Sequence, residues 1–494
     1  MFSMVKSIQH FSDVSIDIFQ KLQEKFYEDP TDIASFIYGI SDELRALGVL
    51  MIQETLEQID QQIRRSGKRK ESWVIEKNCH KKLVTSLGAV DFTKTLFTNK
   101  ESGKMACLLD QILGLAPHAR LTEDAEARLL TEAVQTSYRR GGEASTISAD
   151  SVSKEAVKDR LHSLEIPDEW EKPETKRVVD YLYVEADEDH VSLQFQKTKG
   201  DLEKNAAGQK NNALISKMVY VHEGIEPNAP KSRRHHLKNP RYFADVCGDR
   251  ENNAFWDRIY QYICDTYDVD RIKRIYLSAD GGGWIKSGMK RINGLIFVMD
   301  EFHLSKYLIR LTSHMKDSTG DARKELYDAI RHGTKGEFNE IVDRLRDCLP
   351  DESGVSRIEE ARAYFLNNWM PARRRLLHQD GVIGCSAEGH VSHLLSSRMS
   401  SRPMGWSRTG AKKMTRLRAY YQNGGDMLEL VRKQSGKLPV AAGAEDEVIY
   451  SASEMLAAER KNQKSNGQYI EKIQASIPQG VRKYIHLEKI IWDM

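Results

Sequence analysis

Apolar positions along the chain change their spacing several times, and each change marks a different kind of element. Residues 1–66 read as helical. In "SDELRALGVLMIQETLEQIDQQIRRS", Leu44, Leu47, Leu50 and Ile52 supply part of an apolar helix face. Ser41 is the expected N-cap, with Asp42 and Glu43 in a first turn where the helix dipole favours anions. From Trp73 to Phe97 the texture turns to Val, Thr and aromatics. Val90 and Phe92 alternate with polar neighbours and Gly88 punctuates, so two or three strands are expected. Helical spacing returns in "LTEDAEARLLTEAVQTSYRRGGEAS", with a break expected at Gly141-Gly142. In "ISADSVSKEAVKDRLHSL", Ser151 or Ser153 would cap a helix whose Val157, Leu161 and Leu164 face one way. Helix, glycine turn and capped short helix is the outline of a helix-turn-helix, whose second helix would lie in a DNA major groove. Any two-helix hairpin shares that outline.

Pro167 and Pro173 in "IPDEWEKPETKR" suggest a linker into the next region. There "VVDYLYVEADEDHVSLQFQ" (178–196) reads as a strand, a tight acidic turn and a second strand, and "ISKMVYVHEG" as a third. "NAFWDRIYQYICDTY" is an amphipathic helix with Phe255, Ile259, Tyr262 and Ile263 on one side. "RIKRIYLSAD" and "NGLIFVMD" are a fourth and a fifth strand. Three consecutive antiparallel strands followed by helix-linked parallel ones is the order of a ribonuclease H-like sheet. Helical texture then fills about 304–380, and a last helix starts near Ser386. The expected fold class is multi-domain α+β. A helical segment (1–66) precedes an α/β DNA-binding region with a helix-turn-helix (67–170). A ribonuclease H-like core with a mixed five-stranded sheet (175–303 and 381–420) is interrupted by a helical insertion (304–380), and a helical region (421–494) follows.

Composition narrows the function classes. Of the 494 residues, 40% are hydrophobic, enough for real cores. No run approaches the ~18 apolar residues of a membrane span, and the start lacks the apolar centre of a signal peptide. The six cysteines are scattered without a CxxC pair and read as reduced cytosolic thiols. Net charge is only +2, but cations cluster at 64–70, 231–236, 372–375 and 398–418. Such clusters are either a footprint for phosphates or ordinary solvated faces.

Three acids stand where this topology would gather them: Asp187, ending the first strand, Asp280, ending the fourth, and Glu388, early in the last helix. Glu185 and Asp189 share the Asp187 strand face and compete with it, and Asp280-Gly281 is also a plain turn signal. Glu388, Val391 and Leu395 fall at i, i+3 and i+7, which would place the glutamate on a buried face, although a solvated helix start also suits it. A buried carboxylate is costly unless a cation neutralises it. Two magnesium ions held by such a trio would serve phosphodiester chemistry. Gly281, Gly282 and Gly283 after Asp280 would leave room for a nucleic-acid backbone.

The motifs "YVEADEDHV", "IYLSADGGGWIKSG", "VMDEFHLSKYL" and "GCSAEGHVSHLLSSRMSSRPMGWSRTGAKKM" together resemble DDE transposases of bacterial insertion sequences, in the Mutator-like superfamily and more narrowly the Lre-type family. The resemblance implies a catalytic, metal-holding triad of Asp187, Asp280 and Glu388, loaded with two Mg2+ or Mn2+ ions. It implies a D-x-x-H box at Asp300 and His303 that shapes the site or touches DNA, although Asp300 also suits a plain helix cap. Arg398, Arg402, Arg408, Lys412 and Lys413 would neutralise phosphates. Trp406 would stack on an unpaired base or else anchor the loop by packing. Trp284 reads as a packing residue behind Asp280. The implied reaction is DNA strand cleavage at element ends, then attack of the freed 3′ hydroxyl on target DNA. The implied partners are double-stranded DNA and a second copy of the chain, in the bacterial cytosol. Two alternatives stay open: a domesticated or decayed DNA-binding relative without strand transfer, and a nuclease that cleaves only.

Overall fold

A computed structural model describes residues 5–435 apart from 117, 148–150, most of 198–212, 249, 350, 351, 379 and 403, together with Ala457 and Arg460. Of the helical region expected at 421–494, the helix Met427–Ser435 is described, and nearly all later residues lie outside the described ones. The described chain forms two compact units. One holds residues up to 133, 137–157 and the helix Met427–Ser435, and the other holds 134–136 and 158–426. Among the described residues no helix is long and apolar enough to cross a membrane.

In the first unit the helix expected to start at Ser41 begins eight residues earlier, as Ile33–Arg65. Its cap is Asp32, whose side chain accepts from the Ser35 N–H. Ser41 is interior because helix-spaced apolar residues (Ile33, Phe36, Ile37) already run upstream of it. The long helix lies on a three-stranded antiparallel sheet of β1 (Trp73–Val84), β2 (Ala89–Asn99) and β3 (Met105–Ala106), as the Val/Thr texture predicts. Leu56 and Ile63 of the helix bury against Trp73, Val90, Phe92 and Phe97. Asp60 fixes the register by accepting from the Thr95 N–H and hydroxyl at 2.9 and 2.6 Å.

The expected helix-glycine break-helix is three helices instead: Glu123–Gln135, Tyr138–Ala144 and Lys154–Ser163. Gly141 and Gly142 lie buried inside the middle one. They are there for close approach, not to break the helix. A Cβ on Gly141 would stand 2.7 Å from the Ala133 Cβ, and one on Gly142 would stand 2.0 Å from the Val152 carbonyl oxygen. Ser153 caps the third helix by accepting from the Ala156 N–H at 3.3 Å. Val157, Leu161 and Leu164 are all fully buried, as their spacing predicts.

The second unit is built on a five-stranded sheet. Its strands are β4 (Tyr181–Ser192), β5 (Ala213–His222), β8 (Arg241–Asp245), β9 (Arg274–Ala279) and β10 (Leu295–Met299), and a small separate ribbon holds β6 (Ile225–Pro227) and β7 (His235–Leu237). The order across the main sheet is β10-β9-β4-β5-β8, with β4, β5 and β8 antiparallel and β4, β9 and β10 parallel. Three antiparallel strands leading into parallel ones are therefore present, but the segmentation differs. Residues 178–196 contain no hairpin: β4 runs unbroken through the acidic stretch because Glu188 and Asp189 pair in the ladder with Lys217 and Ser216 of β5. The third antiparallel strand is β8, which carried no expectation. The helix Asn252–Thr266 covers one face, burying Phe255, Trp256, Ile259, Tyr262 and Ile263. The insertion is helical as expected. Its helices Glu301–Thr312, Thr319–His332, Lys335–Asp347, Val355–Asn367 and Trp369–Leu376 close on their own core around Phe338, Phe365 and Leu326.

Gly142→Ala should destabilise the first unit. Alanine would gain about 1 kcal/mol of helix propensity over glycine. Forcing a methyl against a fixed backbone carbonyl should cost more, about 1–3 kcal/mol or beyond. A lowered melting temperature checks this, and an unchanged one contradicts the packing described.

Candidate active site

The register of β4 against β9 brings two of the three predicted acids together. The parallel ladder ends on the pair Ala186–Ala279, so Asp187 and Asp280 are the next residues of two adjacent strands. Asp187 does not end its strand as expected. It sits mid-strand, at the point where β9 stops and β4 continues alone with β5. It is 6% exposed. One carboxylate oxygen accepts from the Glu188 N–H at 2.8 Å, and the other is buried and has no hydrogen-bond partner. Burial pushes its carboxyl up, to about 7, and the charges of Glu388 and Asp280 push the same way, while His303 partly offsets them. Both other predicted acids thus act on Asp187.

The two rival acids on this strand face have other engagements. Glu185 is bonded to five donors, and Asp189 accepts from the Ser400 hydroxyl at 2.9 Å.

Asp280 is half-buried. It accepts from the Gly282 N–H at 2.8 Å, and its own carbonyl accepts from the Tyr364 hydroxyl at 2.6 Å. The glycines that follow have separate reasons. Gly281 has φ +88°, and a Cβ there would stand 2.9 Å from the Asn368 side-chain oxygen. Gly282 caps the helix Gly283–Gly288. Gly283 is the position that faces open space. Trp284 packs as expected: it stacks on Trp256 at 6.0 Å and donates its indole N–H to Glu188.

Glu388 corrects an expectation. Val391 and Leu395 are buried, but the glutamate is exposed. The buried face of this helix runs through Ala387, Val391, Leu394 and Leu395, so Glu388 sits one position off it, where a carboxylate keeps its water. The chain reaches this helix along a stapled path. Arg375, itself buried, donates to the carbonyls of Met299 and Ile383 and to the Ser278 hydroxyl. Tyr276 and Tyr183 donate to the carbonyls of Asp380 and Gly381 at 2.6 and 2.7 Å.

Asp300 is the helix cap that one reading foresaw, and it also meets His303. It caps the helix Glu301–Thr312 through the Phe302 N–H and holds His303 Nδ1 at 2.9 Å. Burial alone would lower the His303 imidazole, but Asp300, Asp280 and Asp187 outweigh it and hold it above its usual value. The acids therefore favour the protonated imidazole of His303.

The basic loop divides. Trp406 is buried, donates its indole N–H to the Met399 carbonyl at 2.9 Å and bridges to Leu193, so it is a packing anchor and not a stacking platform. Arg398 is 5% exposed and lies over the Trp406 ring, 4.9 Å from its centroid. Both are unavailable to DNA because the loop folds onto β4. Lys413 donates to the Leu164 carbonyl, and Lys412 stands 3.5 Å from Glu251. Arg402 and Arg408 are exposed. Arg408, Lys412 and Lys413 line a cavity of 560 Å³ with Lys217 and Glu251. The cluster at 372–375 is no phosphate footprint: Arg373, Arg374 and Arg375 all donate to backbone carbonyls.

Sequence reasoning missed Arg375, Tyr364 and Asn368, and the partners of Glu185. One signal was present. Tyr220 and His222 alternate on β5 as the cross-strand partners of Glu185 and Tyr183, which marks a polar patch on a buried face.

The donor set suits a hard divalent cation: carboxylates from three elements, one with a buried unpartnered oxygen. Among the described residues, no three His, Cys, Asp or Glu side chains stand close enough to grip one ion as they are.

The shift of Asp187 sets a pH dependence. Below about pH 3 its carboxyl is protonated in folded and unfolded chains alike, so nothing is lost. As pH rises towards 7 the unfolded chain ionises first and stability falls. In chelator, Asp187→Asn should therefore be more stable than the parent at pH 8, by up to about 4 kcal/mol, and equal to it at about pH 3. Denaturant melts at the two pH values check this. Equal stability at both would remove the buried charge.

The comparisons with known proteins assign no activity. A UPF0236 protein of Caldanaerobacter subterraneus subsp. tengcongensis, named for four loci, is 33% identical over 86% of this chain and 85% of its own length. Another from the same organism, named for eleven loci, is 31% identical over 86% of this chain and 85% of its own. A Streptococcus gallolyticus UPF0236 protein is 23% identical over 76% of this chain and 79% of its own. Among solved structures, the Drosophila P element transposase strand transfer complex aligns at 10% identity with a TM-score of 0.22, over 65% of this chain and 82% of that one, a likeness too low to carry an argument. The model of an uncharacterised protein family matches residues 29–434, and the chain belongs to that family, UPF0236.

Proposed function

We propose that this protein is a DDE-type DNA transposase, acting on double-stranded DNA at element ends and on target DNA. In this reading the second unit is a ribonuclease H-like catalytic domain with a helical insertion. The helices between Glu123 and Ser163 are a DNA-reading helix-turn-helix, and the protein works in the bacterial cytosol as a homo-oligomer of at least two copies. The observation that carries it is that Asp187 and Asp280 are the next residues of two adjacent strands, that the charge of Glu388 from a helix beyond the insertion acts on Asp187, and that one Asp187 oxygen is buried without a partner. The relatives add support. A protein named for eleven loci of one organism is what a self-copying element would leave behind.

Asp187, Asp280 and Glu388 would hold two Mg2+ or Mn2+ ions. When bound, these ions supply Lewis-acid activation of the attacking oxygen and stabilisation of the leaving one. Asp187 and Asp280 are held rigidly by the sheet. Glu388 is exposed, so its side chain has rotamer freedom to close on the pair. His303, oriented by Asp300, adds positive charge beside the acids, where a phosphodiester gathers negative charge. Arg408, Lys412 and Lys413, which line the cavity, and the exposed Arg402 would steer the DNA backbone.

The test supplies Mg2+ and a duplex carrying candidate element ends. Cleavage with strand transfer supports the reading. Cleavage alone would make the protein a nuclease, and a gel shift without cleavage would make it a binding protein only. Asp187→Asn, Asp280→Asn and Glu388→Gln should each lower strand chemistry by about 10²-fold or more while leaving the gel shift intact. Full activity in any one of them removes that residue from the site.

A further inference from the structure

A second buried carboxylate lies two residues before Asp187 on the same strand face, and the chemistry above does not use it. Glu185 is 2% exposed. His222 Nε2 lies 3.2 Å from one of its oxygens. The other oxygen accepts from the Tyr220 hydroxyl, from the Ser386 N–H at 2.7 Å, and from the Ser386 hydroxyl and the Cys385 thiol at 3.3 Å each. Among the described residues, His222 is its one charge partner within 4.0 Å. Burial pushes the Glu185 carboxyl up, but His222, Tyr220 and Ser386 outweigh it and hold it below the usual value.

The partners come from two places. Tyr220 and His222 belong to β5, beside β4. Cys385 and Ser386 immediately precede the helix Ala387–Val391, which carries Glu388. The carboxylate therefore joins the strand of Asp187 to the entry of the glutamate helix. An apolar contact would tolerate sliding of that helix along the sheet. A buried anion does not, because each donor is directional and an unmet charge is costly. The Tyr220 ring also packs at a tilt against His390, one helix turn beyond the pinned serine, at 4.7 Å.

We propose that Glu185 is a positioning residue, a buried anion that pins the start of the glutamate helix to β4 and so sets Glu388 against Asp187. This rests on the reading of Asp187, Asp280 and Glu388 as a metal-holding site.

Glu185→Gln keeps the size and replaces one acceptor oxygen with a donor that opposes its neighbours. Tyr220→Phe removes one donor with almost no change of volume and carries the test should the first variant fail to fold. Two readouts are made on the full-length protein. Hydrogen–deuterium exchange at amides 386–391 should quicken about tenfold or more, the worth of one charge-assisted hydrogen bond. The Mg2+ concentration giving half-maximal strand cleavage should rise by a similar factor, with the DNA gel shift unchanged. Asp187→Asn serves as comparator and should abolish cleavage while leaving exchange at 386–391 slow. Unchanged exchange and an unchanged Mg2+ midpoint in the folded variants would overturn the proposal. If the wild-type chain cleaves no DNA, the functional reading fails, and the exchange measurement still decides whether Glu185 is the pin.

Discussion

Asp187 and Asp280 carry like charge, and the β4–β9 ladder leaves them no choice but to be neighbours. Backbone hydrogen bonds from Tyr181–Arg274 to Ala186–Ala279 fix the register, and a slip of one residue would turn Asp187 to the opposite face. Two carboxylates close together in a partly dry place repel strongly, because the effective dielectric there is far below that of water. The raised Asp187 carboxyl is the trace first of its burial, and then of the charges of Glu388 and Asp280. Tyr364 reaches from the insertion to the strand tip and holds the Asp280 carbonyl, and Asp300 orients His303, whose protonated form the acids favour. A fold does not keep such an arrangement for stability, since an apolar pair in the same place would cost less.

Much of this was legible in the sequence. The strand "RIYLSAD" ends where it should, the helix Asn252–Thr266 buries the face its spacing marks, and the five-helix insertion falls between Asp300 and Glu388. The failures share a cause: they concern positions whose state is set by partners distant in sequence. The acidic stretch of β4 looks like a turn until its ladder partners on β5 are known. Gly141 and Gly142 look like a break until Ala133 and Val152 are seen pressed against them. Glu388 was assigned to a buried face from spacing alone, and a shift of one residue around the helix reversed the answer.

The cationic clusters make the same point. Read along the chain, the arginines of 372–375 and 398–418 are interchangeable positive charge. In the fold they sort by what lies opposite them. Arg373, Arg374 and Arg375 donate to carbonyls left unpaired at strand and helix ends, and Arg398 is spent on the Trp406 ring. What remains at the surface is a smaller set around Arg402, Arg408 and Lys412. A net charge of +2 therefore overstates the cation available to a polyanion in one respect and understates it in another. Arg375 and Arg398 are structural, while Arg408, Lys412 and Lys413 gather beside one cavity.

The two kinds of acid are held by different means, and this explains how a long insertion can sit between them. The aspartates are positioned by the sheet itself. Glu388 follows a helical subdomain with its own core, whose internal motions would reach the glutamate if the connection were slack. It is not slack. The insertion leaves the sheet at Asp300, whose N–H donates to the Ala279 carbonyl at 2.9 Å. It returns through Arg375, bound to Met299 and Ile383, and through the tyrosines that hold Asp380 and Gly381. Both ends are thus clamped to the sheet, through β9 and β10 and through Tyr183 of β4. Loop length adds closure entropy only slowly, and the enthalpy of the clamps is independent of it. The insertion is not detached from the acids, because Tyr364 within it holds the Asp280 carbonyl, so its sequence is constrained at that contact and at its two ends.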